Sequence, residues 1–388
     1  MIFITSYPYI GERHRRVFDF FEKKDDLVFI LPEKWKMKGG KIVMEAKDGD
    51  GLKIIPAKTY FFHSKYPIIR GHLKGWMPAL KKILKKMAHP GDILYSVSEP
   101  NLLTTYLNAR IAKRMGLKHI FFTWQNVSYR ERLSGLKLKI SEWLIKKNIA
   151  LSSGVICGNK KALDVIKSYL ADNYPSLVAP VSGMDAEKFR PGIQSDFRSS
   201  YGLENKTILL FVGALDQRKG IFKLIDAFTE ALTSVKSLHL VIIGSGPSEE
   251  ELKKYVFETG IRENITVLPW TDNKDLPGYF SNSDIFIYLS QRYRGWEEQF
   301  GYSIAEASSS GIPVISTRTG SIEDLVTDGQ TGILVDPDDS RGIVSAILKL
   351  AEDRNLRISM GNAGREHIKN NFSHEIIAKK LENFLRNI

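Results

Sequence analysis

Two glutamates, Glu298 and Glu306, stand eight positions apart in the stretch EEQFGYSIAEASSSGIPVIS, residues 297–316, on either side of the pair Phe300-Gly301. Carboxylates are good acceptors for paired hydroxyls. A helix starting near Gly301 would turn its first amides toward an anion. The small residues Ala305, Ala307, Ser308 and Ser309 around Glu306 suggest a face that is packed or closely approached. Further upstream, ALDQRKG sets Arg218 and Lys219 beside Gly220, directly after the apolar run TILLFVG. Such a basic pair is either solvated surface or, at a strand-to-helix turn, an anchor for phosphate through contacts worth about 1.5–3 kcal/mol each. A ligand with a diphosphate in the middle and a sugar at each end fits these residues. Gly244-x-Gly246, after LHLVIIG, is weaker evidence. It reads either as ligand contact or as a tight turn in which Ser248 and Glu251 form a capping box.

These residues all follow short apolar runs, and the runs define the fold class. MIFIT, LVFILP, GDILYSV and KHIFFTW read as strands in the first half, and TILLFVG, LHLVIIG, ITVLP, DIFIYLS and IPVIS in the second. Between them LKGWMPALKKILKKM, KLKISEWLIKKNIA, KLIDAFTEAL, EEELKKYVFETG and DDSRGIVSAILKLAED carry apolar residues at helical spacing. Strands without polar alternation are buried on both faces, so the reading is α/β, twice over. Residues 179–192, APVSGMDAEKFRPG, have no period and are taken as the domain linker. In such sheets ligands sit beyond the carboxyl ends of the strands.

Composition limits the alternatives. The 388 residues suffice for two cores, and one cysteine, Cys157, excludes an internal disulfide or a four-thiolate metal site. No apolar run approaches the length of a membrane span and no signal peptide is visible, so a cytoplasmic protein is expected. Residues 1–180 hold 32 Lys and Arg against 15 Asp and Glu, net +17, whereas the remainder is net −5. No metal is expected: Asp48-Gly-Asp50 and Asp336-Pro-Asp338 read as polar turns, and there is neither an HExxH pair nor a nucleophile elbow.

The glutamate pair and its surroundings resemble the E-x7-E signature of family-4 retaining glycosyltransferases. The resemblance continues through FVGALDQRKG, LVIIGSGPSEEELKKY, ITVLPWTDNKDLPGYFSNSDIFIYLS and TGSIEDLVTDGQTGILVDPDD, and covers most of residues 205–340. It implies a GT-B architecture, two Rossmann-like domains facing an interdomain cleft. Residues 1–180 would form the acceptor-side domain, joined by a returning helix at 373–388, and residues 192–372 would bind the nucleotide-sugar donor. By the same resemblance, Arg218 and Lys219 would neutralise the donor diphosphate, Glu306 would take ribose hydroxyls and Glu298 hydroxyls of the transferred sugar. Gly213 would let the backbone near the phosphates, Phe300, Gly301 and Tyr302 would give main-chain contacts, and Leu268 and Trp270 would flank the base. No cofactor is implied.

The first domain departs from that pattern. Its N-terminal loop, SYPYIGERHRR, holds only Gly11, and Gln125 and Asn126 follow KHIFFTW where the family has a histidine. The stretch GWMPALKKILKKM puts Trp76, Met77, Leu80, Ile83, Leu84 and Met87 on one face and four lysines on the other. It reads as a helix packed on the sheet, with lysines that would also attract an anionic membrane. The expected activity is hexosyl transfer from a nucleoside diphosphate sugar to an acceptor glycan or glycolipid. A glucan synthase is disfavoured by the absence of a Lys-x-Gly-Gly-Leu element, a GT-B epimerase would need no acceptor, and a nucleic-acid binder lacks a stacking surface.

Overall fold

A computed structural model describes residues 1–36, 43–45, 51–62 and 69–388. Asp48 and Asp50 lie outside the described residues. The chain divides into unit 1, Met1–Gly183 with His374–Ile388, and unit 2, Met184–Ser373.

Unit 1 is built on the strands β1 (Ile2–Ser6), β2 (Leu27–Pro32), β5 (Lys53–Ala57), β6 (Ile93–Val97), β7 (Lys118–Thr123), β8 (Gly154–Cys157) and β9 (Ser176–Val178), with a small antiparallel ribbon of β3 (Lys34–Lys36) and β4 (Val43–Glu45). The main sheet has the order β5-β2-β1-β6-β7-β8-β9, and every pairing in it is parallel. Strands β1, β2 and β6 are buried along their full length, as residues covered on both faces must be. The helices used below are α1 (Leu80–Met87), α2 (Leu103–Arg114) and α3 (Gly135–Leu151).

Unit 2 contains β10 (Thr207–Val212), β11 (Leu238–Ile243), β12 (Ile265–Leu268), β13 (Ile285–Tyr288), β14 (Val314–Thr317) and β15 (Gly332–Val335). Their order, β12-β11-β10-β13-β14-β15, is the doubly wound 3-2-1-4-5-6 arrangement, parallel throughout. Its helices include α4 (Ile221–Ser234), α5 (Glu249–Glu258), α6 (Tyr302–Ser309), α7 (Ser340–Glu352) and α8 (Arg354–Phe372). Both ends of unit 2 are tied together, Met184 N–H donating to Phe372 O at 2.7 Å. The last helix, α9 (His374–Asn387), belongs to unit 1, where Glu382 accepts from the amides of Glu22 and Lys23.

One expectation needs correction. Residues 73–79 are not helical. α1 starts only at Leu80, because Pro78 has no amide to donate and disfavours a helical Met77 before it. Trp76 instead forms an isolated bridge to Tyr60, and Met77, Leu80 and Leu84 pack into the unit 1 core. The boundary between the units, Gly183/Met184, falls inside the stretch 179–192 read as the linker, and that stretch is packed: Ala179, Val181, Met184 and Phe189 are buried, and the Arg365 guanidinium donates to the carbonyls of Ala186 and Phe189.

Candidate functional site

In a doubly wound sheet the crevice opens where the strand order reverses, which in unit 2 is between β10 and β13. The loops leaving those two strands carry the basic pair and the first glutamate. After β10 the chain makes a 3-10 turn, Gln217–Lys219, then the left-handed Gly220 (φ 69°), and enters α4. A Cβ on Gly220 would lie 1.9 Å from Leu289 O, so the two loops meet backbone to backbone. Gln291 N–H donates to Arg218 O at 2.8 Å, fastening the β13 loop to the basic turn. On its far side that loop is held by the turn after β14, where Ser321 N–H donates to Glu298 O at 3.0 Å.

These contacts bring Lys219 and Glu298 together. Lys219 Nζ lies 2.6 Å from Glu298 Oε2, and the Tyr288 hydroxyl donates to the same oxygen at 3.0 Å. Burial and the neighbouring Glu298 carboxylate hold the Tyr288 phenol well above its ordinary range. Arg218 is gripped by Asp216, whose two carboxylate oxygens accept from its guanidinium at 2.9–3.1 Å. That ion pair holds the Asp216 carboxyl below the usual range. Trp296 joins the two cations: its ring centroid lies 4.5 Å from the Arg218 guanidinium carbon and 4.6 Å from Lys219 Nζ.

Gly301, left-handed at φ 86°, caps α6, with Phe300 buried before it and Tyr302 opening the helix. Residues Ala305–Ser309 are all buried, so the small-residue face is packed, against α8 among others. Glu306 is 2% exposed. It accepts from Asn273 Nδ2 at 2.9 Å, and Asn273 Oδ1 accepts in turn from Lys188 Nζ at 2.7 Å. Leu268 ends β12, whereas Trp270 is 64% exposed. A Cβ at Gly213 would touch the Tyr288 ring at 3.2 Å, and at Gly244 or Gly246 it would overlap the carbonyls of Gly213 or Leu215. Ser248 forms no side-chain cap, which corrects the capping-box reading. Its backbone angles (−96°, 11°) are not the extended ones that aim a cap side chain, and its amide is fixed to Leu215 O. Asp336 and Asp338 lie in a turn, where Lys223 reaches Asp338.

Unit 1 has a cavity at its own order reversal, between β1 and β6. Ser6 and Tyr7, Ser98 and Glu99, Lys74 and Trp124 are in its lining. The Glu99 carboxylate accepts from Thr123 Oγ1 at 2.6 Å and the Trp124 amide at 2.8 Å, and burial pushes its pKa up. Tyr7 stacks on Trp35 with centroids 4.4 Å apart, and Lys74 Nζ lies 4.3 Å from the Tyr7 centroid. Gly11, Gln125 and Asn126 do not line this cavity. Gly11 has ordinary extended angles. The Gln125 side chain is occupied within its own loop, donating to Val127 O and accepting from Arg132. Cys157 is buried at the end of β8, which pushes its thiol up to about 12. Sequence reasoning passed over Glu99, Asp216, Trp296 and Asn273, although the first three adjoin strand ends or residues already singled out.

Residues 193–367 match the family model for glycosyl transferases group 1. The chain is similar to the GDP-mannose-dependent alpha-(1-6)-phosphatidylinositol monomannoside mannosyltransferase of Mycobacterium tuberculosis, 29% identical over 57% of this chain and 60% of the relative. It is also similar to the capsular polysaccharide biosynthesis glycosyltransferase CapM of Staphylococcus aureus, 30% identical over 52% of each. The alignments thus span between half and three fifths of these relatives' length. Among solved structures, Anabaena HepE in complex with UDP superposes with a TM-score of 0.76 at 18% identity, covering 100% of this chain and 99% of the other. The sucrose-phosphate synthase of Thermosynechococcus elongatus gives 0.71 at 18%, covering 99% and 98%. Likeness at that identity shows the fold, two Rossmann-like α/β domains of the GT-B kind, and the family match falls on the second of them.

Proposed function

We propose that this protein is a retaining glycosyltransferase of the E-x7-E, family-4 kind, moving a hexosyl group from a nucleoside diphosphate sugar to an acceptor hydroxyl. The observation that carries the proposal is the meeting of Lys219, Glu298 and Arg218 at the order reversal of a doubly wound sheet, within the segment that matches the family. Arg218, Lys219 and the first amides of α6 bind the diphosphate and take up the negative charge that grows on it as the glycosidic bond breaks. Glu298 accepts from hydroxyls of the transferred sugar, and Glu306, held by Asn273, from the ribose. Gly213, Phe300 and Tyr302 contribute backbone near the phosphates, and Leu268 and Trp270 flank the base.

In this mechanism the bond from the anomeric carbon to the diphosphate oxygen breaks while the acceptor oxygen bonds to the same face. The acceptor proton passes to the departing diphosphate, so no protein carboxylate is glycosylated. The cavity of unit 1 binds the acceptor, a glycolipid or envelope glycan of the kind that the relatives' names suggest. Glu99, in the lining of that cavity, accepts from a sugar hydroxyl there. The protein works in the cytoplasm, with peripheral contact to an anionic membrane through its basic first half.

A panel of nucleoside diphosphate sugars tests the reading, with the melting temperature as readout, since only a ligand that prefers the folded state stabilises it. One nucleotide series is expected to raise the transition by several degrees at concentrations far above Kd. A flat response across all bases and sugars contradicts the assignment. Conversion of the donor without acceptor would favour an epimerase.

A further inference from the structure

The outer face of α3 carries Leu136, Ile140 and Trp143, which are 72%, 39% and 49% exposed. Their spacing of four and then three residues lines them up in one stripe, which Lys147 continues. Lys139 and Lys146 run along one border of the stripe, and both are exposed. The inner face buries Ser141, Leu144, Ile145 and Asn148, with Asn148 Nδ2 donating to Pro100 O at 2.6 Å. The helix therefore turns three large apolar side chains to water while it buries two polar ones. α2 extends the patch: Tyr106 lies 5.7 Å from Trp143, ring to ring, and the Arg110 guanidinium is 5.6 Å from the Tyr106 centroid. The one acid of α3, Glu142, is paired with Arg130 at 3.1 Å.

We infer that this face docks on an anionic lipid bilayer. Leu136, Ile140 and Trp143 enter the boundary between headgroups and acyl chains, while Lys139, Lys146, Lys147 and Arg110 meet lipid phosphates. Interfacial helices combine large apolar residues with a lysine-rich flank in this way, whereas protein–protein interfaces are depleted in lysine. Tryptophan suits that depth because its ring is apolar and its N–H polar. The lysine-rich α1 plays a lesser part, since Leu80 and Leu84 are in the core and only charge is left to meet the membrane. The inference names a surface for the peripheral contact proposed above but does not depend on the transferase chemistry.

The test is sedimentation of the full chain with vesicles of phosphatidylcholine, alone or mixed with phosphatidylglycerol. Binding is expected on the mixed vesicles only, and it should weaken as salt rises. Leu136→Ser with Trp143→Ser is expected to lower the partition coefficient by about tenfold or more, and Lys139→Glu with Lys147→Glu by a similar factor. All four positions are on the exposed side, so an unchanged melting temperature should confirm folding of both variants. Failure of the wild type to bind mixed vesicles, or equal binding by the apolar variant, would overturn the inference. So would self-association that the apolar variant abolishes while vesicle binding persists, which would make a second copy the occupant. Donor-induced stabilisation is unaffected by any of these outcomes, so the two readings fail separately.

Discussion

At the scale of residues, the site is a set of opposed charges held by one indole. Lys219 and Glu298 are 12% and 9% exposed in their side chains, so removing either strands the other, at a cost of about 3–5 kcal/mol for a fully buried pair. The two losses differ. Without Lys219 the carboxylate still accepts from Tyr288, whereas without Glu298 the ammonium is left over the faces of Tyr288 and Trp296. Trp296 orients both cations, through contacts worth about 0.5–1 kcal/mol each. Trp296→Ala is therefore expected to weaken nucleoside diphosphate binding by roughly five- to tenfold, and Trp296→Phe to recover most of it. Titration calorimetry of both variants checks this, and unchanged affinity in Trp296→Ala removes the indole from the site.

At the scale of elements, the site depends on how closely two loops can approach. Gly220→Ala would need a left-handed alanine with its Cβ 1.9 Å from Leu289 O, so α4 and the β13 loop would have to part. The variant is expected to lose about 2 kcal/mol or more of stability, together with donor-induced stabilisation. Urea denaturation with and without nucleotide measures both, and wild-type behaviour would mean the loops are independent. Much of this was legible beforehand. Apolar runs without alternation located β1, β2, β6 and β7 of unit 1 and β10 to β14 of unit 2, though not β5, β9 or β15, and the rule that ligands lie past strand ends led to Arg218, Lys219 and Glu298. The Lys219–Glu298 pair was not legible, because its members are 79 positions apart and meet only since β10 lies beside β13. Strand order leaves no trace in hydrophobic pattern. The overlong helix at 73–87 shows a similar limit: apolar spacing persisted through Pro78, whose missing amide was the stronger signal.

For the whole molecule, pH reports on buried histidines. Burial lowers His119 to about 3 and His14 to about 4, the latter helped by Arg13. Both are in unit 1, where His119 bridges β6 and the end of α3, Nε2 lying 3.0 Å from Ser96 Oγ and Nδ1 2.7 Å from Ser152 Oγ. Their folded values lie below the unfolded value near 6.5, so the unfolded chain binds the extra protons as pH falls. Stability is fully present above about pH 6.5 and is lost toward pH 4 and 3, at up to about 1.4 kcal/mol per pH unit for each histidine. Glu99, raised by burial, acts in the opposite sense, favouring the fold at low pH. The melting temperature is thus expected to fall between pH 7 and pH 5, and His119→Asn to flatten part of the slope. A transition independent of pH over that range would contradict the burial of these rings.

The central claim is a division of labour, in which Lys219 holds the diphosphate and Glu298 the transferred sugar. Its most direct test compares Lys219→Ala with Glu298→Ala, measuring nucleoside diphosphate affinity and turnover for each with the donor that the panel identifies. Lys219→Ala is expected to lose both. Glu298→Ala is expected to lose turnover by about a hundredfold or more while binding the nucleotide about as well as wild type, since the freed ammonium still faces the phosphates. Equal loss of nucleotide affinity in the two variants would contradict the claim.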